Sequence, residues 1–146
     1  MARGLAPEII RRIHQKGLEV IIMRQAWPST MLLENHYAEV KKTVDPARFP
    51  LIIKSMQTGP VQVMVVRGYN AVGAMRHLLG ATNPQTALPG TLRGDLGVDY
   101  DDNTCHASAT ALEASDEIGR WLPLMTCPDA QSAYGVTTPL LCPDQF

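Results

Sequence analysis

The sequence predicts an α+β or α/β sandwich: one domain in which a few strands alternate with helices around a shared core. Three observations carry this. The 146 residues are 45% hydrophobic and 18% charged, enough chain and apolar side chain for a single domain with a real core. Two short β-branched runs stand apart from each other, with segments of helical apolar spacing on either side. No internal repeat is visible, and nothing approaches the roughly 18 apolar residues of a membrane span, so no membrane partner is expected.

The elements follow in order. Pro7-Glu8 opens a helix with proline in its first turn; Ile9, Ile10 and Ile13 form its apolar stripe and Gly17 ends it. "LEVIIMR" (18–24) reads as a buried strand. Ser29 caps a helix carrying Leu33, His36, Tyr37 and Val40 on one side. "FPLIIKSM" (49–56) is a short helix, followed by the turn "TGP" and the β-prone "VQVMVV" (61–66). Asn70 caps the next helix, whose face is Val72, Met75 and Leu79 and whose end is Gly80. A long Pro-, Gly-, Thr- and Asn-rich loop fills 81–102, and loops of that length in compact domains are often functional. Thr110 and Glu113 form a capping box for a last helix with Ala111, Ala114, Ile118 and Trp121 on one face. From Leu122 onward there are four prolines and little periodicity, so 1–122 reads as the domain and 123–146 as an irregular Pro-rich C-terminal tail.

Net charge is −1, so no global field gathers nucleic acid or anionic lipid, and no sequence-specific nucleic acid is expected as a partner. Anion recognition must come from a few placed arginines. The N-terminal "MARGLAPEIIRRI" has no apolar segment with a cleavage site, so no secretion signal is read. Cys105, Cys127 and Cys142 are odd in number and irregular in spacing, fitting neither a disulfide framework nor a CxxC zinc site. A reducing, cytoplasmic compartment is the expectation, with Cys105 a buried small residue.

The chemistry turns on His106, in "DNTCHAS". It could pack, bind a metal or react. Cys105-His106 has no second pair at ligand spacing, which speaks against a metal. His14, His36 and His77 sit in helical stretches and are assigned no chemistry. His106 differs in standing where a strand is expected to end and a helix to begin, beside Asn103, Ser108 and Thr110. Upstream lie Arg76, Thr82, Asn83 and Arg93. Arginines fork onto phosphate oxygens, and Thr and Asn add neutral hydrogen bonds to phosphate or sugar. A neutral imidazole is a competent nucleophile near pH 7. No GxxxxGK[ST] is present, so a P-loop is excluded. The residues describe a phosphate pocket without a P-loop and with one candidate nucleophile.

"ATNPQTALPGTLRGDLGVDYDDNTCHAS" (81–108) resembles the signature of the nucleoside diphosphate kinases, in which a TNP…PGT-RGD loop leads to an N-x-x-H-G-S-D strand end. "RGLAPEIIRRIHQKGLEVI", "ENHYAEV", "IIKSMQTGPVQVMVV", "MRHLLGATNP" and "EIGRWL" match the family in order, covering roughly residues 3–122. The resemblance implies a ferredoxin-like antiparallel sheet with helices on its faces. It implies ping-pong transfer of the γ-phosphate of ATP or another nucleoside triphosphate to a nucleoside diphosphate, carried as phosphohistidine on His106. Glu117 would orient that ring. Arg76, Thr82 and Arg93 would hold nucleotide phosphates, Asn103 would contact sugar and phosphate, and Tyr37 would lie close by. Lys54 matches a family lysine for which no chemistry is claimed. Mg²⁺ is expected as cofactor, carried with the nucleotide and without a protein metal cage. A homo-oligomer, hexamer or tetramer, is implied. "RGD" (93–95) then belongs to the loop rather than to adhesion.

Departures from the pattern carry expectations of their own. Family members open with a strand ending in Lys-Pro-Asp, whereas this sequence begins Met1-Ala2. The resemblance therefore implies a truncated or atypical member with its first strand missing, two strands without their shared neighbour, and chemistry slowed by about 10²–10³-fold. An alternative function follows: a catalytically impaired nucleotide-binding or oligomer-assembly member of the family. Where the family stacks the base on a "PFF" aromatic, this chain has "PARFPLII", which puts Arg48 at the platform and Phe49 beside it. Ala107 and Ala109 replace the Gly and Asp of H-G-S-D, restricting the backbone and removing a polar group.

Overall fold

The computed structural model describes residues 3–125. The chain runs α1 (Ala6–Gln15), β1 (Glu19–Ala26), α2 (Thr30–His36), α3 (Ala38–Thr43), α4 (Phe49–Ser55), β2 (Val61–Arg67), α5 (Ala71–Leu79), a 3₁₀ turn (Pro84–Thr86), α6 (Leu92–Leu96) and α7 (Ala111–Met125). The architecture is α+β. β1 and β2 pair antiparallel from Glu19↔Arg67 to Ala26↔Val61, with an irregularity between Val20 and Ile22. Among the described residues the sheet has these two strands only, so each has one side without a strand neighbour.

Local chemistry explains most boundaries. Pro7 sits in the first turn of α1, where its missing N–H is no loss, and Gly17 leaves the helix at φ +82°. The Ser29 side chain accepts from the Leu32 N–H at 3.2 Å, capping α2 as expected. Thr110 accepts from the Glu113 N–H at 3.1 Å, while the Glu113 carboxylate reaches back to the Ala109 N–H at 2.8 Å. The capping box therefore closes one residue earlier than its usual form.

Several expectations are corrected. The helix from Ser29 breaks at Tyr37, which ends α2 and precedes α3, leaving Val40 exposed rather than on the apolar face. Asn70 makes no side-chain cap; it adopts a left-handed φ of 47°, and its side chain lies where a Cβ on Gly73 would stand. β1 is not buried throughout, because Met23, Arg24 and Gln25 face solvent. The long loop is not structureless and contains the 3₁₀ turn and α6. No strand precedes His106: residues 102–108 join no ladder, and carbonyls in this stretch accept from arginine side chains instead. On α7 Ala111 is exposed, and the inward face is Ala114, Glu117, Ile118 and Trp121. The helix continues through Pro123 to Met125, past the expected boundary at 122; the rest of the expected tail, 126–146, lies outside the described residues.

The core joins Leu33 of α2, Phe49 and Ile53 of α4, Val65 of β2 and Trp121 of α7, with Ile22, Tyr37, Val63 and Ile118 packed around it. Ile13, Leu79 and Leu92 are fully buried on α1, α5 and α6. Each such side chain contributes about 1.5–3 kcal/mol of burial. Trp121 and Tyr37 thus belong at once to the core and to the wall of the site described next.

Candidate active site

His106 stands on the irregular segment between α6 and α7, its side chain 42% exposed. Its Nε2 lies 3.1 Å from Glu117 Oε1, one helical turn above Trp121 on the inward face of α7. A carboxylate can only accept, so Nε2 carries the proton and donates, leaving Nδ1 with its lone pair. The Ser108 hydroxyl donates to the other Glu117 oxygen. Burial pushes the Glu117 carboxyl up, but the hydrogen bonds from His106 and Ser108 outweigh it and hold its pKa below the usual range.

The carbonyls on either side of His106 are both held by guanidinium groups. Arg93 Nη2 donates to Cys105 O at 3.0 Å and Arg76 Nη1 to Ala107 O at 3.4 Å. Arg93 is buried; its Nη1 also reaches Gly80 O at 3.4 Å, and its Nε has no hydrogen-bond partner. Burial lowers the Arg93 pKa, though a guanidinium stays charged. Arg93 is set by α6, whose first turn is capped by Thr91 accepting from the Gly94 N–H at 3.1 Å. Gly94 leaves no room for a side chain, since a Cβ there would stand 2.2 Å from Leu88 O. Asp95 accepts from the Gly90 N–H at 2.8 Å and from Arg12 at 2.6 Å. The three residues of "RGD" therefore lie within α6, where Gly94 and Asp95 fix its packing and Arg93 reaches the His106 segment.

Asn103 Nδ2 donates to Thr82 O at 3.3 Å, bringing two expected nucleotide contacts together. Thr104, between Asn103 and Cys105, holds φ at +75°, a conformation a β-branched residue adopts only under constraint. Burial raises the Cys105 thiol pKa, so it is held as an inert thiol, half-buried rather than fully buried. A shallow depression of about 250 Å³ opens beside Arg76, Gly80, Thr86 and Thr91; His106 is not among its lining residues.

His36, assigned no chemistry from sequence, lies in the site. Its ring packs edge-on to His106 with centroids 4.8 Å apart, and its side chain is 6% exposed. Trp121 Nε1 donates to its Nδ1 at 3.3 Å, which puts the His36 proton on Nε2. Burial, helped by the charge of His106, holds the His36 pKa down to about 4 against the pull of Glu117. The available signal was adjacency: His36 precedes Tyr37, whose ring lies 6.2 Å from that of His106 and whose pKa burial raises. Among the described residues, His36, His106 and Glu117 are the one group of three metal-capable side chains, with ligand atoms within 4.8 Å of one another. Two imidazoles and a carboxylate suit a borderline divalent ion better than Mg²⁺.

Of the two residues expected at the base platform, Phe49 is corrected. Phe49 is 5% exposed in the core, with Lys41 over its ring at 5.1 Å, and offers no face to a base. Arg48 stacks on Tyr100 at 5.1 Å and pairs with Asp101 at 2.6 Å. Lys54 is exposed on α4.

The domain is thus α+β and presents a carboxylate-backed imidazole between two arginine-held carbonyls. The family model described as Nucleoside diphosphate kinase matches residues 1–126. The Nucleoside diphosphate kinase of Archaeoglobus fulgidus is 43% identical over 116 residues, 80% of this chain and 75% of that protein. Nucleoside diphosphate kinase B of Bos taurus is 41% identical over 119 residues, 82% of this chain and 76% of that protein. The crystal structure of the apo nucleoside diphosphate kinase from Encephalitozoon cuniculi superposes with a TM-score of 0.78 at 34% identity, covering 90% of each chain. This chain belongs to the nucleoside diphosphate kinase family, and its fold is the ferredoxin-like α+β fold of those relatives.

Proposed function

We propose that this chain is an active nucleoside-diphosphate kinase that carries the γ-phosphoryl group on His106 Nδ1. The observation that carries the reading is the His106–Glu117 contact at 3.1 Å, which engages Nε2 and leaves Nδ1 as the nitrogen able to attack. Glu117 acts as the positioning residue: it fixes the tautomer and offsets the positive charge the ring gains as it attacks. The Nδ1 lone pair forms the N–P bond, the bond from the γ-phosphorus to the β-phosphate bridging oxygen breaks, and nucleoside diphosphate departs. The reverse step onto a second diphosphate completes a ping-pong cycle.

Phosphoryl transfer needs position and charge neutralisation more than covalent help. Arg76 and Arg93, which hold the carbonyls on either side of His106, are the cationic donors proposed for phosphate, Arg93 with its Nε unpartnered, and Thr82 and Asn103 are the neutral ones. Arg48, stacked on Tyr100, is the side chain proposed to meet the base, and stacking without base-edge hydrogen bonds tolerates several bases. Mg²⁺ carried by the nucleotide supplies further charge neutralisation when bound. We propose cytoplasmic residence and a homo-oligomer; exposed Trp27, Met31 and Leu51 are apolar surface of the kind assembly covers.

The test is incubation with γ-labelled ATP. An acid-labile, base-stable phosphoprotein that passes its label to GDP, and that disappears in His106→Ala, is the expected result. Bound nucleotide without labelled protein would instead support the impaired binding module.

A further inference from the structure

We propose that His36, His106 and Glu117 form an inhibitory site for a borderline divalent cation, of which Zn²⁺ is the type. The ligand atoms are His36 Nδ1, His106 Nε2 and Glu117 Oε1. A tetrahedral zinc with bonds of about 2.0–2.2 Å holds its ligand atoms roughly 3.3 Å apart. Here Glu117 Oε1 already lies 3.1 Å from His106 Nε2 and 3.6 Å from His36 Nδ1, and all three atoms fall within 4.8 Å. Bringing the two imidazole nitrogens about 1.5 Å closer closes the set. Two imidazoles and a carboxylate select Zn²⁺, Cu²⁺ or Ni²⁺ over Mg²⁺, so the nucleotide's own ion does not compete. Ser108, on the remaining Glu117 oxygen, supplies the outer support that fixes a ligating carboxylate. The 42% exposure of His106 gives the ion access and leaves room for water as a fourth ligand.

One contact opposes the site: Trp121 Nε1–H occupies the His36 Nδ1 lone pair, at 3.3 Å, the long end of hydrogen-bond range. Metal binding breaks that bond. It also moves the proton of His106, because a neutral imidazole ligating through Nε2 carries its hydrogen on Nδ1. The lone pair needed for phosphoryl transfer is then gone, while the nucleotide pocket stays open. This consequence rests on the proposed role of His106; the site itself does not.

The test begins without nucleotide. Zn²⁺ is titrated into the full chain against a chromophoric chelator, in excess Mg²⁺. One Zn²⁺ per chain is expected, weakened at least about tenfold in His36→Gln and in Glu117→Gln, and strengthened in Trp121→Phe, which frees the His36 lone pair. Co²⁺ bound to the unaltered chain should show strong tetrahedral ligand-field bands without sulfur-to-metal charge transfer. Absence of such binding, equal affinity in His36→Gln, or a thiolate spectrum would overturn the site. In a second arm Zn²⁺ should block labelling by γ-labelled ATP, and a chelator should restore it. Chain that binds the ion at these residues but never takes up label keeps the site and refutes the kinase reading. Labelling undiminished with the site saturated overturns the inhibitory role.

Discussion

Around His106 the decisive feature is which nitrogen is occupied. Glu117 engages Nε2 at 3.1 Å, so losing its charge loosens the ring and unfixes the tautomer without touching the phosphate arginines. Glu117→Gln should lower the rate of His106 phosphorylation by about 10²-fold, the scale of a small misplacement, with little change in nucleotide affinity; rapid-quench labelling and equilibrium binding separate the two. His36 makes a different prediction. Its pKa is held at about 4 in the fold against a usual 6.5, so the unfolded chain binds more protons between those values. Stability from keeping His36 neutral is therefore fully present above pH 6.5 and lost progressively as pH falls towards 4, at up to about 1.4 kcal/mol per pH unit. Urea midpoints measured in chelator from pH 7.5 to 4.5 should fall through that window, and His36→Gln should flatten the fall. A profile unchanged by the substitution would assign the acid loss to the carboxylates.

Individual elements matter through how tightly they set one side chain. α6 is five residues long, and its position depends on the Thr91 cap and on the absence of a side chain at Gly94. Gly94→Ala places a Cβ 2.2 Å from the Leu88 carbonyl, a backbone atom that cannot swing away. The strain should destabilise the fold by about 1–3 kcal/mol and shift Arg93, read as a lower melting temperature together with a raised nucleotide KM. This level also explains what was legible in the sequence. Capped helices were, because Ser29 and Thr110 act over three residues, and so were the β-branched runs of β1 and β2. The break at Tyr37 was not, because apolar spacing continues across it and the interruption goes with packing of the Tyr37 ring towards His36 and His106. Asn70 reads as a cap in sequence but turns left-handed against Gly73. The strand expected before His106 failed for a non-local reason: a ladder needs a neighbour, and arginines far away in sequence took the carbonyls. His106, Arg76 and Arg93 were legible as a candidate nucleophile with arginines upstream of it, whereas Glu117, eleven residues on in a helical stretch, was reached only through the family resemblance. Phe49 misled because an aromatic at the right place in the sequence points into the core.

Taken as one body, the domain shares a wall between core and site. Trp121 is 7% exposed among Leu33, Phe49, Ile53 and Val65, yet its indole N–H donates to His36, which packs on His106. Damage to the core should therefore reach the chemistry by this route, and two substitutions separate volume from hydrogen bonding. Leu33→Ala opens a cavity beneath α2 at a fully buried position and should cost about 2–5 kcal/mol. Because Leu33 lies on the helix that ends at His36, labelling of His106 should slow as well as the melting temperature drop. Trp121→Phe retains most of the apolar volume but removes the N–H, leaving the His36 nitrogen without its donor in a buried place. It should cost only about 1–3 kcal/mol, less than the cavity, yet change the rate of His106 labelling by a comparable factor. If stability and labelling instead fell in strict proportion across both variants, the indole would be acting as filler, and the coupling of core to histidine would reduce to general loosening of the fold.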